Sequence, residues 1–163
     1  MVDLTDVILT EGKTASYTTE LGLTVLSYKT GDFPIEEKTP VTLTVENKGE
    51  RKLVLSGDVL LDVLIPCARC LEPVKSRLEV RFEFETGLDE SEYIDGYNLD
   101  VDQLIHDESL LVWPERVLCR EDCKGLCSVC GQNLNVGPCG CERTKADPRM
   151  AKILDIFNNF KEV

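Results

Sequence analysis

The residues with the most chemistry to offer are eight cysteines set in close pairs. Two stand in "CARC", as Cys67 and Cys70, and six fall within "LCREDCKGLCSVCGQNLNVGPCGCE", residues 118–142. Zinc takes four soft, deprotonated ligands in a tetrahedron, and a Cys-x2-Cys loop supplies two of them from one tight turn. Cys127 and Cys130 form such a pair, and Gly131 directly after it lets the chain turn around a metal with backbone N–H groups near sulfur. Cys139 and Cys141 follow, braced by Pro138 and Gly140. The intervening segment reaches at most roughly 28 Å when extended, so folding back to close a site of a few Å is easy. Cys127, Cys130, Cys139 and Cys141 therefore make one complete set of four thiolates.

Cys67, Cys70, Cys119 and Cys123 make a second set. Cys119 and Cys123 are spaced i, i+4, so one helical turn would put both sulfurs on one side. The Cys67/Cys70 pair closes a strand and meets them only through the tertiary fold. Two structural zinc ions per chain are expected, with packing of Cys67 and Cys70 as small reduced apolar residues the alternative to the second. A redox centre needs an exposed thiolate beside positive charge. Arg69 supplies that charge, but the surroundings are apolar and no thioredoxin-like βαβ pattern is present.

No catalytic residues are expected. A catalytic zinc keeps an open position and a nearby base, whereas two closed sets consume every cysteine. His106, the one histidine, falls in a predicted helix among acids and reads as an ordinary helix residue. The sequence contains no phosphate-binding glycine loop, dinucleotide fingerprint or nucleophile elbow.

Elements that must position these thiols are legible in part. "VTLTV" from residue 41 alternates, with "NKGE" as a turn, and "RKLVLSG" and "DVLLDVLI" read as further strands. Val74, Leu78, Val80, Phe82 and Phe84 recur with period two, the mark of a half-buried antiparallel strand. "LGLTVLSY" is one more candidate. Asp100 can cap a helix over "VDQLIHDESLLV", with Val101, Leu104, Ile105, Glu108, Leu111 and Val112 on one face, ended by Trp113-Pro114. Asp147 and Pro148 open a second predicted helix, whose stripe is Met150, Ile153, Leu154 and Phe157. The expected fold is α+β, an antiparallel β-sheet or partly open barrel with two helices and a cysteine-rich zinc-binding segment. The body with its helix at about 100–112 spans 1–118, the cysteine segment 119–146, and the C-terminal helix, packing on the body, 147–163.

Composition bears on compartment and partner. At 163 residues and 42% hydrophobic, the chain can bury one good core. The start "MVDLTDVILTEG" carries acids where a signal peptide is basic, and "VLLDVLIPC" falls short of the ~20 apolar residues of a membrane helix. A cytoplasmic protein with reduced thiols is expected, which favours metal ligation over disulfides. The net charge is −12 and uneven: residues 119–163 carry seven Lys/Arg against six acids, leaving −13 on the rest. Residues 82–115 hold eleven acids and no Lys or Arg. Such a surface repels phosphate backbones and suits a basic protein partner, or serves as a solvated face.

Together "CARCLEPV" after alternating strands, the acidic stretch, "LLVWPERVLC", "CREDCKGLCSVCGQNLN…CGC" and the closing "DPRMAKIL" resemble the YceD-like family, strongest from about 53 to 154. That is the bacterial and plastid family named for accumulation of large-subunit ribosomal RNA. In bacteria its gene commonly sits beside one for a small zinc-ribbon protein of the large subunit. The resemblance implies a role in large-subunit ribosomal RNA processing or accumulation, hence ribosome biogenesis.

The expected function is a non-enzymatic ribosome-biogenesis factor that binds a basic ribosomal protein, an assembly factor or a precursor particle. Arg120, Lys124, Arg143, Lys145 and Arg149 are its candidate RNA or partner contacts. Stacking aromatics are missing from residues 119–152, so direct RNA contact is expected to be weak. The alternative is a zinc- or redox-responsive regulatory protein.

Overall fold

The computed structural model describes residues 1–141 and 150. In chain order its elements are β1 (Val2–Asp3), α1 (Thr5–Ile8), β2 (Thr14–Thr19), β3 (Val25–Tyr28), β4 (Gly31–Lys38), β5 (Val41–Gly49), β6 (Lys52–Pro66), β7 (Pro73–Gly87), β8 (Ile94–Asp95), β9 (Asn98–Leu99) and α2 (Val101–Leu111). The expected helix over 147–163 lies outside the described residues, as do Arg143, Lys145 and Arg149. A short helix near the start, α1, was not anticipated from the sequence. The chain divides into two compact units, one of Met1–Cys119 and one beginning at Arg120.

The body is an α+β unit on an antiparallel sheet organised by β6. Along one edge β6 pairs with β7 over its whole length, from Lys52↔Gly87 to Pro66↔Pro73. Along the other it pairs first with β5, as far as Asp58, and then with β4 around Leu61–Val63. Strands β2 and β3 extend these two halves by pairing with β5 and β4. Among the described residues the ladders leave β2, β3 and β7 at the edges.

Alternation explains why so long a strand is stable. Leu53, Leu55, Val59, Leu61 and Val63 are fully buried on one face of β6, and Ile65 nearly so. Burying each such side chain contributes about 1.5–3 kcal/mol. They meet Val41, Leu43 and Val45 of β5, Leu78, Val80 and Phe82 of β7, and Val101, Leu104 and Ile105 of α2 in one core.

"RKLVLSG" and "DVLLDVLI" are one strand, not two. Gly57 between them continues the ladder opposite Phe82 and Leu43. A Cβ there would collide with the Thr42 carbonyl oxygen and come within 2.8 Å of Phe82 Cζ. The glycine thus admits a neighbouring backbone and an aromatic ring instead of ending the strand.

On the outer face Asp62 receives both arms of the Arg77 fork, at 2.7 and 2.9 Å, with Lys75 at 3.3 Å. Only 4% exposed, Asp62 is held down to about 2, chiefly by the Arg77 hydrogen bonds; burial opposes this and Lys75 assists.

Helix α2 begins as expected, Asp100 Oδ1 accepting from the Gln103 N–H at 3.1 Å. Its buried residues are Val101, Leu104, Ile105 and Ser109. Leu111 and Val112, expected on that face, are exposed because the helix outruns the core that covers its first two turns. Tyr28 fastens the helix through its hydroxyl, which shares a hydrogen bond with Ser109 Oγ and donates to the His106 carbonyl. The His106 ring lies against Tyr28, its Nε2 3.0 Å from the Ser27 carbonyl oxygen, a structural role.

Candidate metal centres

The hairpin between β6 and β7 ends in the first cysteine pair. Pro66 and Pro73 form its last ladder pair, and their missing N–H groups stop the sheet there. In the six-residue loop between them, the Cys67 N–H donates to the Glu72 carbonyl at 2.8 Å and the Leu71 N–H to the Cys67 carbonyl at 3.0 Å. The second pair repeats this pattern: Cys127 N–H to the Gln132 carbonyl at 2.8 Å, and Gly131 N–H to the Cys127 carbonyl at 2.8 Å. Both loops need a positive φ at the residue after the second cysteine, and it is 63° at Leu71 and 75° at Gly131. Glycine takes that conformation without steric cost; leucine does not.

Within the body, the Ala68 N–H donates to the Val117 carbonyl at 2.8 Å, laying the chain after α2 against the hairpin tip. Cys119 arrives there with its sulfur 3.5 Å from that of Cys70. Cys123 follows one turn later, closed by its own N–H on the Arg120 carbonyl at 3.2 Å. That segment is a turn rather than the helical turn the i, i+4 spacing suggested. The sulfurs of Cys67, Cys70, Cys119 and Cys123 all lie within 4.8 Å of one another.

In the second unit, Leu126 bridges to Asn133 and the Leu134 N–H donates to the Gly125 carbonyl at 2.9 Å, so the chain doubles back around the Cys127/Cys130 loop. Cys127, Cys130, Cys139 and Cys141 form the second group, also within 4.8 Å of one another. None of the eight cysteines forms a disulfide.

Does this donor set fit a metal? Tetrahedral zinc with sulfur ligands near 2.3 Å places the sulfurs about 3.8 Å apart. Both groups offer four thiols within 4.8 Å of one another, which admits that spacing. Backbone donors also face sulfur, as at Val129 N–H to Cys127 Sγ, 3.4 Å. The Cys127 thiol is brought down to about 6, first by the Cys130 and Val129 N–H groups and then by Cys139. Burial pushes Cys67 up, but the Arg69, Cys119 and Cys70 N–H groups outweigh it and bring that thiol to about 6. Cys141 is pushed up to about 12 by its hydrogen bond with Cys130, then burial and repulsion from Cys130 and Cys139. Four crowded sulfurs cannot all ionise unless a cation joins them, and a divalent metal is the group that lets them. Each group can hold a metal ion.

The groups differ in access. Cys67, Cys70 and Cys123 are buried with Cys119 half-buried, whereas Cys130 is exposed and Cys139 and Cys141 are half-buried. Arg120 and Lys124, the described candidate contacts, are exposed around Cys123, and Arg120 Nε lies 3.5 Å from Asp122. Two residues of the site were missed from sequence. Asn135 Oδ1 accepts from the Lys124 N–H at 2.8 Å, while its Nδ2 donates to Cys123 Sγ at 3.3 Å. Asn133 Oδ1 in turn accepts from the Asn135 N–H at 2.9 Å. Their signal was the "NLN" triplet inside the cysteine segment.

No helix among the described residues is long and apolar enough to cross a membrane. The family model described as large ribosomal RNA subunit accumulation protein YceD matches residues 55–157. Among curated proteins, an uncharacterized protein of Mycobacterium tuberculosis (strain ATCC 25618 / H37Rv) and one of Mycobacterium bovis are each 34% identical over 126 residues, covering 71% of this chain and 60% of theirs. An uncharacterized protein of Mycobacterium leprae is 31% identical over 136 residues, covering 76% and 62%. The chain thus spans less than two thirds of the length of these relatives. No solved structure matches it.

Proposed function

The chain belongs to the YceD family of large ribosomal RNA subunit accumulation proteins, and on that premise we propose that it is a non-enzymatic, cytoplasmic factor supporting large-subunit ribosomal RNA accumulation by binding. The observation that carries the binding role is the gathering of all eight cysteines into two closed sets of four. Such sets crosslink a fold and leave no coordination position for substrate. Zinc is the metal proposed for both, because four thiols gathered within 4.8 Å of one another suit a soft, redox-inert ion. When bound, it supplies a rigid crosslink and neutralises the sulfurs. Cys67, Cys70, Cys119 and Cys123 would hold one ion, and Cys127, Cys130, Cys139 and Cys141 the other.

The acidic body carries −13 outside residues 119–163 and selects a basic ribosomal protein, or a precursor particle displaying one, over bare RNA. Direct RNA affinity is then weak and steeply salt-dependent, and Arg120 and Lys124 contribute to it together with Arg143, Lys145 and Arg149. Depleting the protein from cells and measuring large- against small-subunit ribosomal RNA tests the role. A selective fall in the large-subunit RNA is expected, and an unchanged ratio would contradict it.

The exposed Cys130 favours one other reading, a zinc- or redox-responsive regulator. That reading requires zinc to leave at micromolar chelator with a matching change in activity, whereas a structural role requires zinc to stay.

A further inference from the structure

The apolar stripe of α2 runs past the core that covers it. Leu104 and Ile105 are fully buried, yet Leu111 and Val112, each seven residues further along the same face, are 78% and 37% exposed. Leu110 beside them is 47% exposed. Three consecutive apolar side chains thus stand in water at the end of one helix.

Their surroundings are acidic. Asp107 and Glu108 sit one turn before Leu111 on the helix surface, and Glu115 follows shortly after the helix end. From residue 82 to 115 there is no Lys or Arg, and the first base beyond is Arg116. Among the described residues, the ion pairs of this stretch to Lys or Arg are those of Glu85 with Lys52 and Asp89 with Arg51, both far along the chain from the helix end. Burial, with Asp107 beside it, raises the Glu108 carboxyl.

We propose that Leu110, Leu111 and Val112, with Asp107, Glu108 and Glu115 around them, dock a cationic amphipathic segment of a partner protein, one presenting aliphatic side chains flanked by Lys or Arg. The aliphatic contacts complete the interrupted stripe of α2, and the flanking bases meet carboxylates that, among the described residues, pair with no Lys or Arg, Asp107 having only the His106 ring at 2.9 Å. Charge alone would accept any polycation; the exposed stripe end adds a requirement for apolar anchors. The inference rests on the binding role proposed above and deepens it by naming the surface and its partner's chemistry.

Trp113, the one tryptophan, adjoins the patch and packs on Phe33 and Tyr28 with ring centroids 4.7 and 5.1 Å apart, so its fluorescence reports on the site. The test titrates the intact zinc-loaded protein with a synthetic helical Lys/Leu peptide and with oligolysine of equal charge, by tryptophan fluorescence and calorimetry. The Lys/Leu peptide should bind at least about tenfold more tightly than oligolysine, and Leu110→Ser/Leu111→Ser should remove that advantage at unchanged thermal midpoint. Glu108→Gln/Glu115→Gln should weaken both ligands. Equal binding of the two ligands, or a peptide affinity untouched by the Leu110/Leu111 change, overturns the inference. Self-association abolished by Leu110→Ser/Leu111→Ser also overturns it, by assigning the patch to a second copy. Sedimentation with ribosomal precursors is read separately, so a failed peptide titration with intact co-sedimentation sinks this surface alone.

Discussion

Asn135 Nδ2 donates to Cys123 Sγ at 3.3 Å. Asn135 belongs to the loop between Cys130 and Cys139 of one cysteine group, and Cys123 belongs to the other. Folding of that loop therefore supplies a hydrogen bond to a thiolate of the neighbouring group, and loss of such outer hydrogen bonds typically weakens metal binding ~10–100-fold.

Asn135→Ala should weaken zinc binding at Cys67, Cys70, Cys119 and Cys123 by about tenfold. Competition with a chelator measures this in the protein with all eight cysteines intact, as the second phase of zinc release, so that the loop carrying Asn135 stays folded. Unchanged affinity would show that Asn135 serves its own loop alone.

Metal analysis of protein purified without added metal should return two zinc ions per chain. Release by chelator should be biphasic, with the accessible Cys127, Cys130, Cys139 and Cys141 group emptying first. One zinc with Cys67 and Cys70 open to alkylation would remove the buried group from the account.

Loss of each metal group should have a different reach. Cys127→Ser/Cys130→Ser should leave a cooperative thermal transition while raising hydrogen exchange over residues 125–141, because metal and fold are coupled within that short segment. By contrast, Cys67→Ser should lower the midpoint of the body, since Cys67 sits at the tip of the hairpin that organises the sheet. Global unfolding of the double variant would contradict this division.

Gly57→Ala should destabilise the body by about 1–3 kcal/mol, the usual cost of overpacking, although alanine has the better intrinsic propensity. Chemical denaturation measures it, and a neutral result would mean that both the Thr42 backbone and the Phe82 ring give way freely.

The same position shows how far the sequence could be read. Period-two burial in Val74 to Phe84 was visible because one face meets the core, and the Asp100 cap because its chemistry is local. Gly57 looked like a strand end because the ring it accommodates comes from residue 82. Strands β3 and β4 were hidden or faint, since their order depends on Tyr28, Phe33 and Trp113 meeting across the fold. The cysteine spacing suggested both groupings, while the Ala68–Val117 and Asn135–Cys123 hydrogen bonds left no signature in spacing at all. Periodicity could not show that the core stops short of Leu111.

Acid should act on the body through Asp62. Its folded carboxyl titrates about 2, below its unfolded value, so its contribution is fully present above the unfolded pKa and is lost as pH falls from there toward 2. Asp62→Asn should lower the thermal midpoint at neutral pH and flatten its dependence on pH between about 4 and 2. An unchanged acid profile would mean that the Arg77 pair does not persist in solution.

The central claim is that this protein acts by binding the assembling large subunit. Sucrose-gradient fractionation of cells carrying a tagged chain, at low and high salt, addresses it most directly. The account predicts that the protein peaks with free large-subunit precursors at low salt and moves to the top of the gradient as salt screens its acidic body. A protein that remains at the top of the gradient at every salt concentration would contradict it.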